Sequence, residues 1–479
     1  MITRSSRQPL FESSSTAAGF RQNAMALDFQ SDLPLSQAFT GTREGAWASG
    51  LFGFWCMNPY PAFNFGNNTA ITVGNILTAL SMVFLFGHSW RNKPYFLYAI
   101  LMVPLWTATI NCAMGGNGDA MMCVKVDIMR TIAYATLLTA QYVFPIYSLE
   151  LLVGVAIACI LHFIVGMCQL NSFATGEFPF AWLYNNKSFL SVQDMTKTIA
   201  RYIQRPFGIF PEPSAMSSSL APFVILWFGE MCGLVRFKRN PSNFQRILFS
   251  CGMLGSLMLI IISRSGHTAV TLLPIAIFSL LWLKNCKFTS KHITVLMLGL
   301  VVVSIVGYMG YEALSDRLGG KSEVGNSSWE ERSSSLVAGY EMVETNGLSC
   351  MIFGIGPGNT SPLLRPMAQL EAVWSVILTY VYETGLVVGL GAVLWVAGYV
   401  INVWRKTKYN IVLGSIIWVW FIGTLLTTSY DQLQPIWLAL GLMTVWRSVC
   451  VSSREEADAV LDLEQGRPMM KSNRRVYGN

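Results

Sequence analysis

Apolar runs about 20 residues long recur from one end of this chain to the other, and that feature most narrows what it can fold into. Such a run is what a helix needs to cross the roughly 30 Å hydrocarbon core of a bilayer. Backbone inside lipid has no water to bond to, and a helix satisfies its own N–H and C=O groups. The expected fold is therefore an all-α polytopic membrane protein. About twelve runs qualify, at 46–62, 69–88, 95–113, 125–143, 148–168, 217–235, 246–263, 267–283, 293–312, 376–402, 410–428 and 433–450. The first is the weakest, because it contains Asn58, Pro59 and Pro61. Composition agrees, with 53% of the 479 residues hydrophobic and 12% charged. A soluble domain carries about twice that charge.

The cations set the direction of the spans. Arg91 and Lys93 lie in one connection; Arg236, Lys238, Arg239 and Arg246 in a second; Lys284, Lys287 and Lys291 in a third; Arg405, Lys406 and Lys408 in a fourth. None of these connections holds an Asp or Glu, and they alternate so that all four can face the cytoplasm. The net charge of +7 thus follows a membrane pattern, and no nucleic-acid partner is expected. Both termini then lie inside. Residues 1–45 are expected to be a disordered tail in which Arg4, Arg7, Arg21 and Arg43 balance Glu12, Asp28, Asp32 and Glu44. Residues 46–450 form the transmembrane domain, and 451–479 a second cytoplasmic tail. Two outer loops, 169–216 and 313–375, are long enough to carry function. The ten cysteines are scattered, several of them (Cys159, Cys168, Cys232, Cys251) in apolar runs, with no Cys-x-x-Cys and no zinc spacing.

The outer loops hold the chemistry. In the first, Pro211 and Pro213 bracket Glu212 just before a span. That carboxylate is either a general base or an acid favoured by a helix N-terminus. The turn Ser263-Arg264-Ser265-Gly266-His267 puts a guanidinium and an imidazole at the outer mouth of two spans. In the second loop, Ser327 or Ser328 followed by Glu three residues later reads as a capping box. An amphipathic helix on the outer membrane surface follows to about Asn346, with Arg332 in its first turn and Gly347 as its C-cap. The stretch Phe353-Gly-Ile-Gly-Pro-Gly-Asn359 is a turn or, through its N–H groups, a cradle for phosphate. Arg130, Arg201, Arg205, Arg264, Arg332 and Arg365 can all reach this face, against the usual charge bias, and arginine grips phosphate oxygens bidentately. A lipid-linked phosphate or pyrophosphate is the natural ligand. No nucleotide-binding motif is present.

The order of Ser263-Arg264, an outer loop with Arg332, Phe353 to Asn359, then Tyr382-Glu-Thr-Gly-Leu386 within a span resembles the O-antigen ligase/polymerase superfamily over roughly residues 200–400. Phe210-Pro-Glu-Pro-Ser214 is similar to the form found in exopolysaccharide repeat-unit polymerases. The resemblance implies a membrane glycosyltransferase of the bacterial inner membrane. Its donor is an undecaprenyl-pyrophosphate-linked oligosaccharide, its acceptor a growing glycan, and it works on the periplasmic side without metal, nucleotide or other cofactor. Flippase and chain-length or export proteins are possible partners. On this chain Arg264 and Arg332 would hold pyrophosphate, with Arg205, Arg365 and Arg201 around them. Glu212 or His267, or Glu371, would accept the proton of the attacking hydroxyl. Where many ligases carry a His-Asn pair, this chain has Trp374 and Ser375, which favours a polymerase. Trp374 stacks on a sugar ring or anchors at the interface. A transporter for the same lipid-linked unit is the alternative of another class, since His162, Glu230 and Glu383 fall within apolar spans.

Overall fold

The computed structural model describes residues 42–60, 62–64, 70–89, 95–115, 118–175, 205–265, 267–285, 323–368, 373–426 and 432–452. The expected span 293–312, nearly all of both tails and the greater part of the first outer loop lie outside the described residues.

Helices carry almost all of the described backbone. In chain order they are α1 (Arg43–Cys56), α2 (Val73–Ser89), α3 (Tyr95–Ala113), α4 (Ala120–Thr175), α5 (Pro213–Met231), α6 (Asn243–Ile262), α7 (His267–Asn285), α8 (Glu323–Thr345), α9 (Leu348–Phe353), α10 (Thr360–Ala368), α11 (Val376–Thr384), α12 (Val388–Lys406), α13 (Ile411–Leu426), α14 (Gln434–Thr444) and α15 (Trp446–Val449). Two short antiparallel ribbons accompany them, β1 (Ala62–Asn64) with β2 (Ala70–Thr72) and β3 (Val235–Phe237) with β4 (Cys450–Ser452).

Four segments among the described residues are long and apolar enough to cross a membrane: Phe96–Ala113, Ala120–Asn171, Asn243–Ile262 and Val388–Lys406. Their outer faces carry large apolar side chains. Ile247, Leu254 and Met258 recur along α6, and Val103, Trp106 and Ile110 along α3, each at least 40% exposed. In water such stripes would drive association; against acyl chains they are neutral. The chain is thus a helical, membrane-embedded protein. Inside this shell α5 and α14 are the central helices. Every residue of α14 is buried, and α5 exposes almost nothing. A helix covered on all sides belongs at the middle of a bundle.

The 56-residue α4 is two arms, not one rod. Tyr134 and Val165 would lie about 46 Å apart on a straight helix at 1.5 Å per residue. Yet the Tyr134 ring packs against Trp437 with ring centres 4.0 Å apart, while Val165 shares a small apolar cluster with the adjacent Ile436. The arms therefore fold back on one another at Tyr147, whose φ of −125° and ψ of 38° leave the helix just after Pro145. This agrees with separate apolar runs at 125–143 and 148–168. Beside the second arm lies α1, so close that a Cβ on Gly154 would overlap the Gly50 carbonyl. Small residues permit that approach, as they do between helices in lipid.

The hairpin of α4 defines two ends of the bundle. At the turn end, Thr42 N–H donates to the Tyr147 hydroxyl (3.0 Å) and Arg239 holds Glu150 with two bonds (2.8 and 2.9 Å). The β3–β4 ribbon is there too, since the Lys238 N–H beside it bonds Val449. The opposite end gathers Met57 to Tyr60, the loop 205–212, the α6–α7 turn and the loop 354–359.

Three expectations need correction. The run 376–402 is not one helix: it breaks at Gly385, whose φ is +99°, into α11 and α12. The first run is helical only as far as Cys56, within the 14-residue α1, and Met57 to Tyr60 continue it as non-helical chain. That is too short to cross about 30 Å as helix alone. Finally, α8 begins at Glu323, so Ser327 and Ser328 lie inside it rather than at its N-terminus. Its end is as expected, with Gly347 at φ +91° just beyond. Ser335, Ala338, Gly339, Met342 and Val343 form the buried stripe of an amphipathic helix.

Candidate active site

The loop before α5 is bolted to the second arm of α4. His162 accepts the Ile209 N–H at Nδ1 (3.1 Å), so Nε2 carries the proton and donates to the Met57 carbonyl (2.9 Å). Both nitrogens of this in-span histidine are used structurally. Gln169 takes the N–H groups of Phe207 (2.9 Å) and Gly208 (3.0 Å) and donates to the Gly208 carbonyl (2.8 Å). Phe207, Ile209 and Ala215 then bury themselves beside Val165, Leu433 and Ile436.

This anchoring positions four of the expected residues together. Arg205 reaches the α6–α7 turn, donating from Nε to the Ser263 carbonyl (2.9 Å) and from Nη2 to the Arg264 carbonyl (3.4 Å). Arg264 is exposed, with a φ of +50°. Left-handed backbone costs a non-glycine residue about 1–2 kcal/mol, and such cost gathers at functional positions. Glu212 is buried at the N-cap of α5, with Pro213 at N1, and accepts a hydrogen bond from the Ser214 hydroxyl. Here the carboxylate does sit at a helix N-terminus, where the dipole favours it. His267 opens α7, buried, with Nδ1 3.3 Å from the Ser265 hydroxyl. Ser217 of α5 lies 3.4 Å from Ser263, and His267 and Ser218 both border Gly423 of α13. Glu212, His267, Arg205 and Arg264 thus lie on the segments that meet where α5, the α6–α7 turn and α13 come together. The set can bind an anion and move a proton.

Arg365 and Trp374 belong to a neighbouring group. Arg365 is exposed in the last turn of α10, and the Trp374 N–H donates to the Ser335 hydroxyl of α8 (3.3 Å). The link to the first group is Val376, which joins the cluster of Phe207, Ile209 and Ala215. Arg332 lies on α8, but its side chain is outside the described residues, as are Arg201 and Glu371 altogether.

The two glycine-bearing stretches also come together, around an anion of the protein's own. Arg130 pairs with Glu383 through Nη1 and Oε2, with both side chains almost fully buried. The other oxygen of Glu383 accepts from the Gly358 N–H (3.0 Å) and the Thr360 hydroxyl (2.6 Å). Ile355 and Gly356 donate to the carbonyls of Tyr382 (3.3 Å) and Glu383 (3.1 Å). The glycine-rich loop therefore cradles a carboxylate and its neighbouring backbone, and those amides are not free for phosphate. Gly354 and Gly385 allow the contact: both have positive φ, and a Cβ on either would strike the facing Glu383 or Ile352 carbonyl. The break between α11 and α12 is filled in this way, since Leu386 N–H also bonds Met351 O (2.8 Å). Buried in protein, non-helical backbone is tolerated at membrane depth.

Sequence reasoning placed Arg130 among the outward cations; its guanidinium is instead turned onto Glu383. It also missed Asp127, one helical turn before Arg130, fully buried and accepting from the Thr109 hydroxyl (2.5 Å). The available signal was three charges in apolar helices, which lipid tolerates only when they are paired. Among the described residues, no three His, Cys, Asp or Glu side chains are placed to hold a metal ion. No protein-family model, curated protein or solved structure matches the chain.

Proposed function

We propose that this chain is a membrane glycosyltransferase that polymerises oligosaccharide repeat units carried on undecaprenyl pyrophosphate. It does so at the periplasmic face of a bacterial inner membrane, with about twelve spans and both termini in the cytoplasm. The observation that supports this best is the gathering of Arg205, Arg264, Glu212 and His267 at one end of the bundle, opposite the Arg239 end. A pyrophosphate lying at that end meets the exposed Arg264 guanidinium, whose charge stabilises the negative leaving group as it departs. The acceptor hydroxyl attacks the anomeric carbon from the opposite face, with inversion. Its proton passes to a base, and Glu212 and His267 are the buried candidates within the group. Arg205 acts as a positioning residue, holding the turn that presents Arg264. Trp374 and Ser375 in the place of a ligase His-Asn pair favour a growing glycan as the acceptor.

Loss of a general base costs a rate factor of about 10²–10⁴. Of Glu212→Gln, His267→Gln and Glu371→Gln, one is expected to lower polymer output in cells by at least about 10²-fold at equal protein level. Near-normal output from all three would remove the base from this end of the molecule.

A specific observation favours a second reading, transport of the same lipid-linked unit. The helix carrying Glu383 is interrupted, as are many helices that line transporter sites. Against it, the Tyr382 and Glu383 carbonyls and the Leu386 N–H at that break are bonded within the protein.

A further inference from the structure

The turn between α3 and α4 carries a pair of groups that the glycan chemistry does not use. Cys112 lies in the last turn of α3 and Cys123 in the first turn of α4; both are free thiols, 5% and 0% exposed. The helical hairpin brings them together. Nδ2 of Asn359 lies 3.1 Å from Cys123 Sγ and 3.9 Å from Cys112 Sγ, so the sulfurs are no farther apart than those two distances laid end to end. One point in space, where Gly356 would carry a Cβ, lies within 3.2 Å of both Cys112 Cβ and Cys123 Sγ. Asn359 ties the turn to the glycine-rich loop, accepting the Asp119 N–H (3.0 Å) and donating to Ile355 O (3.1 Å). Gly356 sits directly over the pair, where a Cβ would meet Cys123 Sγ at 2.6 Å.

We propose that Cys112 and Cys123 are a modification site, an oxidisable dithiol that closes to a disulfide across the α3–α4 turn. One thiolate attacks a sulfur of a disulfide oxidant and forms a mixed disulfide; the second thiolate displaces it. The pair gives up two electrons and two protons, and the oxidant leaves as two thiols. Access is through the turn itself, where Ala113, Met114, Gly115, Gly118 and Asp119 are exposed. Closure ties α3 to α4 beneath Asn359, whose chain neighbours Gly358 and Thr360 hold the Glu383 carboxylate. The oxidised protein therefore has a stiffer support for the Arg130–Glu383 pair. The topology proposed above puts this turn in an oxidising compartment. The pairing itself rests on the geometry and stands or falls apart from the glycosyltransferase reading.

The test uses the purified full chain in detergent, treated with oxidised glutathione or with dithiothreitol, then denatured in SDS at acid pH. Free thiols are alkylated and the peptides mapped by mass spectrometry. After oxidation, the Cys112 and Cys123 peptides are expected to leave the alkylated pool and appear cross-linked to each other, reversibly with dithiothreitol. The oxidised sample is also expected to unfold at higher temperature, and Cys112→Ser to abolish both effects. Alkylation of both cysteines after oxidation overturns the proposal, as does cross-linking of either one to a different cysteine. The wild-type map decides this even if the serine variant fails to fold.

Discussion

Glu383→Gln is expected to destabilise the folded protein by about 3–5 kcal/mol, the cost of breaking a buried ion pair from one side. The substitution is nearly isosteric and keeps an oxygen for the Gly358 N–H and the Thr360 hydroxyl. What it removes is the charge facing Arg130, in a place where both side chains are almost completely excluded from solvent. Arg130→Met is expected to cost a similar amount. Combining the two should recover a substantial part of the loss, because a neutral pair strands neither charge. The unrecovered part belongs to Asp127, the second carboxylate beside Arg130 on α4. Denaturant or thermal unfolding of the three variants in one detergent reads the cycle. A Glu383→Gln protein within about 1 kcal/mol of wild type would mean that the pair is not the anchor of the α11–α12 break.

Arg264→Ala is expected to lower polymer output by about 10²–10³-fold while leaving the folded protein intact, the range for removing one stabiliser of developing negative charge. The guanidinium is exposed, so little packing is lost. The backbone argument sharpens the test. At φ +50° residue 264 is strained for any side chain, and Arg264→Gly relieves that strain, for an expected stability gain of up to about 1 kcal/mol. A variant that is more stable and yet inactive separates the chemical role of Arg264 from a structural one. If Arg264→Gly keeps full output at equal protein level, the pyrophosphate grip is not at this turn.

What could be read from the sequence was local. The run 95–113 matches α3 residue for residue, because helix ends and apolar length are written in neighbouring residues. Ser263 to His267 was recognisable as a turn, and Gly347 as a helix stop, for the same reason. The Arg130–Glu383 pair joins positions 253 residues apart, and no local pattern records such a meeting. The Cys112–Asn359 contact is as distant, and the two cysteines lack the close spacing by which thiol pairs are usually recognised. The break at Gly385 was hidden differently. Apolar composition continues straight through it, while the bonds that compensate it come from Met351 to Gly358 on another segment. In the candidate site, the types and order of Arg264, His267 and Glu212 were legible. That Arg205 would spend its donors on backbone carbonyls was not.

The central claim is polymerisation, and the most direct measurement is on purified protein in nanodiscs supplied with the lipid-linked repeat unit of its own host. EDTA is added and nucleotide omitted, and the glycan products are resolved by length. The expected result is a ladder of glycans longer than one repeat, formed by the wild type and lost in Arg264→Ala. Intact substrate and folded protein with no ladder would contradict it, and release of the unit across the bilayer instead would point to transport.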